Sequence, residues 1–448
     1  QKSLKEKNIT LNWYPIGTGP FRLTENNPNL RMVLEKNNNF RGEVYPSLLD
    51  KINNGKLISK NNDLVVPFIE KAIYSLEKEQ IPRWNKFLQG YYDNSGIASD
   101  NYDQAVSLDK SGDISLTDDL KSKGIHLTTA TAASTYYIGF NMLDSVIGGN
   151  NERSRLLRQA LTIVIDYDEY ISIFANGRGI VAQSPIPPGI FGYQDGIREY
   201  NNTAFKNKKN IIIKKNIIDA KNLLKKAGYK NGIDIETGKP LILYFEATGS
   251  GADTYAFLNW LRKQFKKIDI QLVTRVTDYN RFQEKMINGT GQIFQWGWNA
   301  DYPDPENFLF LLYSKNGKVE YGGENASNYS NPKFDKLFLK MKNMENSIHR
   351  ENIIKEMLKI IQNDCPWIWG FHPKSFSLSH KWVKNVESNL MANNTLKYKK
   401  IDDDVRSKKI RIWNKANFTL MYVLLILLAV FIISVLFMIK KKDEEKIL

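Results

Sequence analysis

Gln292–Tyr313 reads QIFQWGWNADYPDPENFLFLLY. It opens as a buried strand carrying Ile293, Phe294, Trp296 and Trp298, then breaks after Asn299 into a turn with Asp301, Pro303, Asp304 and Pro305. Proline lacks the ladder donor and aspartate competes for backbone groups, so a central strand cannot run on through this turn. A helical run, Glu306 to Leu312, follows. Strand alternation puts Trp296 and Trp298 on one face. Two indoles and several carboxylates therefore stand where a strand ends and a helix begins, which is where α/β proteins hold ligands.

The elements before this stretch alternate. Strand Leu241–Phe245, helix Thr254–Phe265, strand Ile268–Val276 and helix Tyr279–Ile287 lead into it, the pattern of a βαβ sheet with helices on its faces. Farther upstream, Leu156, Leu157, Ala160, Ile163 and Val164 recur at the helical period. Asp166, with Glu169 three residues on, marks the next helix start. Phe21–Leu23 and Met32–Leu34 read as a hairpin, Phe68–Leu76 as a strand, and Pro82–Gly90 as a helix with Trp84, Phe87 and Leu88 facing a core. Leu108–Leu120 is polar and reads as a surface segment. Downstream, helices are expected at Phe334–Met344 and Arg350–Ile361, then strands at Trp367–Phe376 and Leu396–Tyr398.

Six further segments, with GWNADYPDPENFL, carry a family resemblance. They are YPIGTGPFRL from Tyr14, RMVLEKNNNF from Arg31, YYIGFNM from Tyr136, LRQALTIVIDYDEYI from Leu157, NGRGIVAQSPIPPGIFGY from Asn176 and NPKFDKLF from Asn331. In this order they resemble extracellular solute-binding proteins of family 5, the peptide, oligopeptide and nickel binders of bacterial ABC importers. The resemblance runs from Asn12 to Lys400. It implies an α/β, two-lobed periplasmic-binding-protein-like fold of type II. It also implies that a leader, the first strands and a small extra domain would precede Gln1. The implied division is 1–133 for the remainder of the first lobe, 134–371 for the second and 372–402 for the return strands. Lobe closure is expected about Thr131 and Phe371, trapping a solute for an ABC permease.

The same resemblance suggests a site. In peptide-binding members, an aspartate in the segment matching GWNAD meets the ligand's α-ammonium, and Asp301 occupies that position. A carboxylate on a ligand cation makes a charge-assisted hydrogen bond, and main-chain pairing would hold the rest of the peptide. Trp296, Trp298, Asn299 and Tyr302 are expected around it, with Asn141 reaching the ligand from the crossing strand. Arg275, Arg281 and Lys285 are candidates for the ligand carboxylate. Ser184–Gly192 resembles the family's loop at the cleft rim.

The 448 residues carry a formal charge of +15. The lysines are spread beside abundant asparagine, without an Arg-rich helix or zinc pattern, so a nucleic-acid partner is not expected. The single cysteine, Cys365, excludes an internal disulfide and a Cys-based metal cluster, and its apolar surroundings suggest a buried thiol. His126, His349, His372 and His380 are scattered, and no GxSxG is present. No cofactor is expected. Asp301 and Glu306 could serve a hydrolase, yet neighbours on one turn are not the facing pair a glycosidase needs. A nickel complex, a haem-like ligand or a sugar on the same fold remains open, as does a scaffold without ligand.

After Asp402 the composition shifts. Residues 403–417 read as a basic linker, 418–439 as a transmembrane helix and 440–448 as a cytoplasmic tail. Phe418–Ile439 is apolar and free of charge, enough at about 1.5 Å per residue for a hydrocarbon core of about 30 Å. Trp413 and Tyr422 would anchor it at the interface. Basic residues lie on both flanks, so the expected placement of the domain in the periplasm or outside the cell comes from the family and not from charge.

Overall fold

A computed structural model describes the chain except residues 1–5, 7–12, 14, 46–51, 54, 55, 58–64, 109–113, 195–200, 202, 209, 210, 250, 387, 388, 392–394, 417 and 445–448. The expected polar start, Gln1–Asn8, falls almost wholly outside the described residues. The first described strands form the expected hairpin, β1 (Phe21–Asn27) and β2 (Arg31–Lys36), with β3 (Lys71–Ser75) on its far edge. Helix α1 (Gln80–Leu88) buries Trp84 and Phe87, and β4 (Asn94–Gly96) follows. The segment expected to be polar surface instead carries paired strands, Val106–Leu108 against Ile114–Leu116, and a short helix, Asp118–Ser122. Leu116 and Leu120 are buried there with Trp84 and Phe87, so scattered leucines outweigh the polar average.

At the boundary that the resemblance implies between the lobes, the chain runs through β5 (Ile125–Thr131) and β6 (Ser134–Phe140). Helices α2 (Glu152–Val164) and α3 (Tyr167–Phe174), strand β7 (Gly179–Val181) and helix α4 (Ile217–Lys226) build one side of the second lobe. Next come β8 (Ile242–Thr248), α5 (Ala252–Lys266), β9 (Gln271–Thr277), α6 (Tyr279–Ile287), β10 (Ile293–Asn299) and the short α7 (Glu306–Leu309). Helices α8 (Pro332–Met341) and α9 (Ile348–Asp364) precede the long β11 (Trp367–His380). Local chemistry fixes many helix starts. Asn151, Asp166, Asn216, Asp278, Asn331 and Ser347 each accept backbone N–H bonds that the first turn would otherwise leave unmet.

The main sheet runs β5-β11-β6-β10-β8-β9, with β7 and β4 also on β11. β8 is parallel to both β9 and β10, while β6 is antiparallel to β10 and β11. Alternation sorts side chains onto two cores. Ile138, Phe140, Phe245 and Ile293 pack with α2 and α5 on one face. Tyr137, Phe294, Trp367 and Trp369 pack with α8 and α9 on the other. Ser184–Gly192, expected at the cleft rim, packs into this second core through the buried Ile186 and Ile190. Cys365 is indeed buried. It ends α9 in a left-handed conformation beside the Thr162 hydroxyl, and burial pushes its thiol up to about 11.

β11 pairs with strands on both sides of that implied boundary. Trp367–Phe371 pairs with β6, and Lys374–His380 pairs with β5. The expected strand at Leu396–Tyr398 is a 3-10 turn, followed by a short pairing of Lys400–Ile401 with Val383–Lys384.

The stretch read as a basic linker is mostly the helix α10 (Asp403–Trp413), docked on the first lobe. Gly90 ends α1 at φ +81, and a Cβ there would sit 2.9 Å from Ile410 and 3.3 Å from Trp413. Arg406 pairs with Asp93 at 2.7 Å, and the Asn414 amide donates to the Gln89 carbonyl. Helix α11 (Thr419–Glu444) follows, with its described side chains from Met421 to Leu436 apolar apart from Ser434, and almost all exposed. Among the described residues, no helix is long and apolar enough to cross a membrane, so the expected span Phe418–Ile439 is not shown.

Candidate functional site

β10 emerges from the sheet beside the start of β6. Ser134 faces Asn299 across the ladder, and its hydroxyl donates to Asn299 Oδ1 at 2.7 Å. The Ala300 amide then donates to the Ala133 carbonyl at 2.8 Å, the last tie before the turn. Beyond it Asp301, Tyr302 and Pro303 are exposed.

Asn307, which no sequence pattern singles out, organises this turn. It is 2% exposed. Its Oδ1 accepts from the Asp301 amide at 2.8 Å and from the Trp298 indole at 3.3 Å, while its Nδ2 donates to Asp301 Oδ2 at 3.4 Å. Its only sequence signal is an amide in the first turn after an Asp-Pro turn. Asn307 thus brings Asp301 and Trp298 together. Among the described residues no cationic side chain pairs with Asp301.

The other two carboxylates of the turn are occupied. Asp304 receives both ends of the Arg350 guanidinium, at 2.6 and 2.8 Å, and caps the Glu306 amide. Glu306 accepts from the Tyr302 hydroxyl, and burial together with that carboxylate pushes Tyr302 up to about 12. The Asp301/Glu306 pair considered for a hydrolase is therefore divided, one carboxylate on an amide and the other on a phenol.

Trp296 and Trp298 share a face, as alternation requires. Both are partly buried against the α8–α9 core, Trp296 on Phe282 and Trp298 edge-on to Phe310. Asn141 lies elsewhere. It follows the other end of β6, about seven residues and some 20 Å along the strand from Ser134. It is buried, with both amide hydrogens on the Gly289 and Gly291 carbonyls and its oxygen on the Leu143 amide. Its polar groups are spent on backbone, so it clamps a loop. Arg275 and Lys285 both face the buried Glu246, at 3.4 and 2.5 Å, and Arg281 is exposed on α6.

Two cavities stand apart from these residues. One of about 320 Å³ opens at the C-terminal end of β8, with Thr248, Asp253, Phe257 and Gln295 in its wall. Another of about 270 Å³ lies between α3 and the paired strands Phe205–Lys208 and Ile211–Lys214. None of the six expected site residues lines either. No group of three metal-ligating side chains gathers among the described residues.

The sequence model of bacterial extracellular solute-binding proteins, family 5 Middle, matches residues 1–320. The chain belongs to this family. Family 5 solute-binding proteins bind ligands and are not enzymes, and their folds are two-lobed α/β. The family 5 chain is 24% identical to heme-binding protein A of Haemophilus influenzae, over 82% of its own length and 56% of that protein. It is 22% identical to the dipeptide-binding protein of Escherichia coli, over 83% of its length and 58% of the relative. It thus spans less than three fifths of either relative. Among solved structures, the periplasmic binding protein DppA of Helicobacter pylori in complex with the peptide STSA superposes at a TM-score of 0.66. The identity is 21%, covering 89% of this chain and 66% of that one. The oligopeptide-binding protein AppA of Bacillus subtilis, in complex with a nonapeptide, gives 0.62 at 18% identity, covering 86% and 67%.

Proposed function

We propose that this family 5 protein is the substrate-binding component of an ABC importer and captures peptides through their free α-ammonium at Asp301. The carrying observation is the unequal use of the turn's carboxylates. Asp304 and Glu306 have partners, whereas Asp301 is exposed, is oriented by Asn307 and pairs with no cation among the described residues. A ligand ammonium completes that set. Trp298 and Tyr302 flank the position, and Asn299 fixes the strand end beneath it. The relatives named for dipeptides, and the peptide complexes of similar fold, favour this reading. A haem-like ligand is the second reading, favoured by the name of the Haemophilus relative. The binding lobes would work in the periplasm or outside the cell, passing ligand to a permease. The apolar Phe418–Ile439 run, which follows α10 in sequence, would hold them at the inner membrane.

Calorimetry tests the site. Asp301→Asn keeps the shape and removes the charge, and closure over the ligand desolvates its ammonium against a neutral amide. The expected loss is about a hundredfold or more in affinity, from the cost of leaving one partner of a buried pair. An N-acetylated version of the same peptide should bind wild type and variant alike. Equal loss for both peptides would make Asp301 a structural cap on the turn.

A further inference from the structure

The lobe crossing contains one side chain whose chemistry the fold alone does not require. His372 sits in β11 between the part paired with β6, which ends at Phe371, and the part paired with β5, which begins at Lys374. Opposite lies the Ala132–Ala133 connection. Pro373 has no N–H to give, and its carbonyl accepts from Ala132. The imidazole takes up the pairing. His372 Nδ1 donates to the Ser134 carbonyl at 3.0 Å, the only role open to it against a carbonyl. The ring is 1% exposed, and its Nε2 has no hydrogen-bond partner among the described residues. A buried acceptor left unmet destabilises the fold, so an apolar ring would pack here more favourably.

The bond leads into the site. Ser134 accepts from His372 on its carbonyl and donates from its hydroxyl to Asn299. Ala300 is tied to Ala133 next door, and Asp301 comes next in the chain. We propose that His372 is a positioning residue that couples the lobe crossing to the ligand turn through Ser134 and Asn299. A rotation of the lobes about the crossing then moves the strand end that carries Asp301. Burial holds His372 at about 4, so the ring stays a neutral donor at ordinary pH. The groups that face it are Ser134 from β6, Ile180 from β7 and the edge of Tyr193. No charged side chain is hydrogen-bonded or ion-paired to it among the described residues.

This inference rests on Asp301 as the ammonium site, and its test separates the two. His372→Asn places an amide N–H near the Nδ1 position, while His372→Leu fills the volume without a donor. In ligand-free full-length chain, amide hydrogen exchange at Ala300 and Asp301 should quicken about tenfold or more in His372→Leu and in Ser134→Ala, and stay near wild type in His372→Asn. With a free-ammonium peptide, affinity should fall about tenfold in the first two variants and be restored by His372→Asn. The double variant should lose no more than either single one, because both break one connection. Unchanged exchange in His372→Leu, or an equal effect of Leu and Asn, overturns the coupling whether or not a peptide binds. Normal coupling by exchange, with no peptide binding by wild type, would instead overturn the ligand reading and leave the coupling standing.

Discussion

Asp304 and Asp301 occupy one turn, three residues apart, and the structure uses them in opposite ways. Asp304 faces inward onto Arg350, which is 2% exposed and also donates to the Met341 carbonyl and Asn346. Asp301 faces outward, held only by the Asn307 amide. The difference comes from the packing beneath each end. Pro305, Phe308 and Leu309 drive the later end into the α8–α9 core, where a guanidinium waits. The earlier end follows directly on the end of β10, and Asp301, Tyr302 and Pro303 there are exposed. A carboxylate spent on an internal ion pair serves the fold, and one oriented without a cation is available to a ligand.

The hardest test of that contrast is the inner pair. Asp304→Asn leaves a buried guanidinium without its counter-charge, and the expected loss is about 3–5 kcal/mol of stability. Urea denaturation of the variant would measure it. A loss under about 1 kcal/mol would mean that Arg350 is satisfied by carbonyls and Asn346 alone, and the division of labour within the turn would fail.

A second test sets the hinge strand against the turn, because β11 carries two buried imidazoles. His372 gives its Nδ1 hydrogen to Ser134, and His380 gives its Nε2 hydrogen to the Phe87 carbonyl. Burial lowers both to about 4, from an ordinary value near 6.5. Both are therefore neutral when folded, while the unfolded chain takes up protons first. Their stability contribution is complete above about pH 6.5 and is lost as pH falls toward 4. Between pH 7 and pH 5 the loss should approach about 2 kcal/mol for each ring. His372→Asn should remove about half of this slope. A slope that the substitution leaves unchanged would place the titration elsewhere.

These two regions differ in how far the sequence discloses them. The GWNADYPDPENFL segment shows a strand end, a turn and a helix start because tryptophan alternation, prolines and an acidic cluster each have a local meaning. The α/β alternation of residues 241–299 is equally local. Asn141 is placed by sequence on the crossing strand, but nothing local tells which end of that strand runs beside Asn299, and antiparallel pairing with β10 puts Asn141 past the other end. His372 escapes notice because a lone histidine carries no signal until Ser134, 238 residues away in sequence, is brought to it. Helix α10 is legible in part. Arg406, Ile410 and Trp413 recur at helical spacing, but the basic average hides them.

A smaller effect is expected where α10 meets the first lobe. A chain ending after Asp402 loses Arg406 and Trp413 and uncovers Gly90, at a cost of about 1–2 kcal/mol. One ending after Lys415 keeps those contacts and should melt like the full chain. The same truncation removes the apolar run, so it should leave membranes without detergent. Continued pelleting after a salt wash would mean that the anchor lies elsewhere.

The smallest stability effect expected is at Asp301 itself. Its side chain is exposed, it caps no helix, and the hydrogen bond from Asn307 is long at 3.4 Å. The stronger bond to Asn307 comes from its backbone amide, which Asp301→Asn retains. Replacing an exposed carboxylate with an amide of the same shape should change stability by no more than about 0.5 kcal/mol. Ligand affinity should nevertheless fall by about a hundredfold or more. Parallel urea titrations of Asp301→Asn and Asp304→Asn read both ends of the turn in one assay. If Asp301→Asn also unfolds early, the outer carboxylate belongs to the fold as the inner one does, and its exposure is no mark of a ligand.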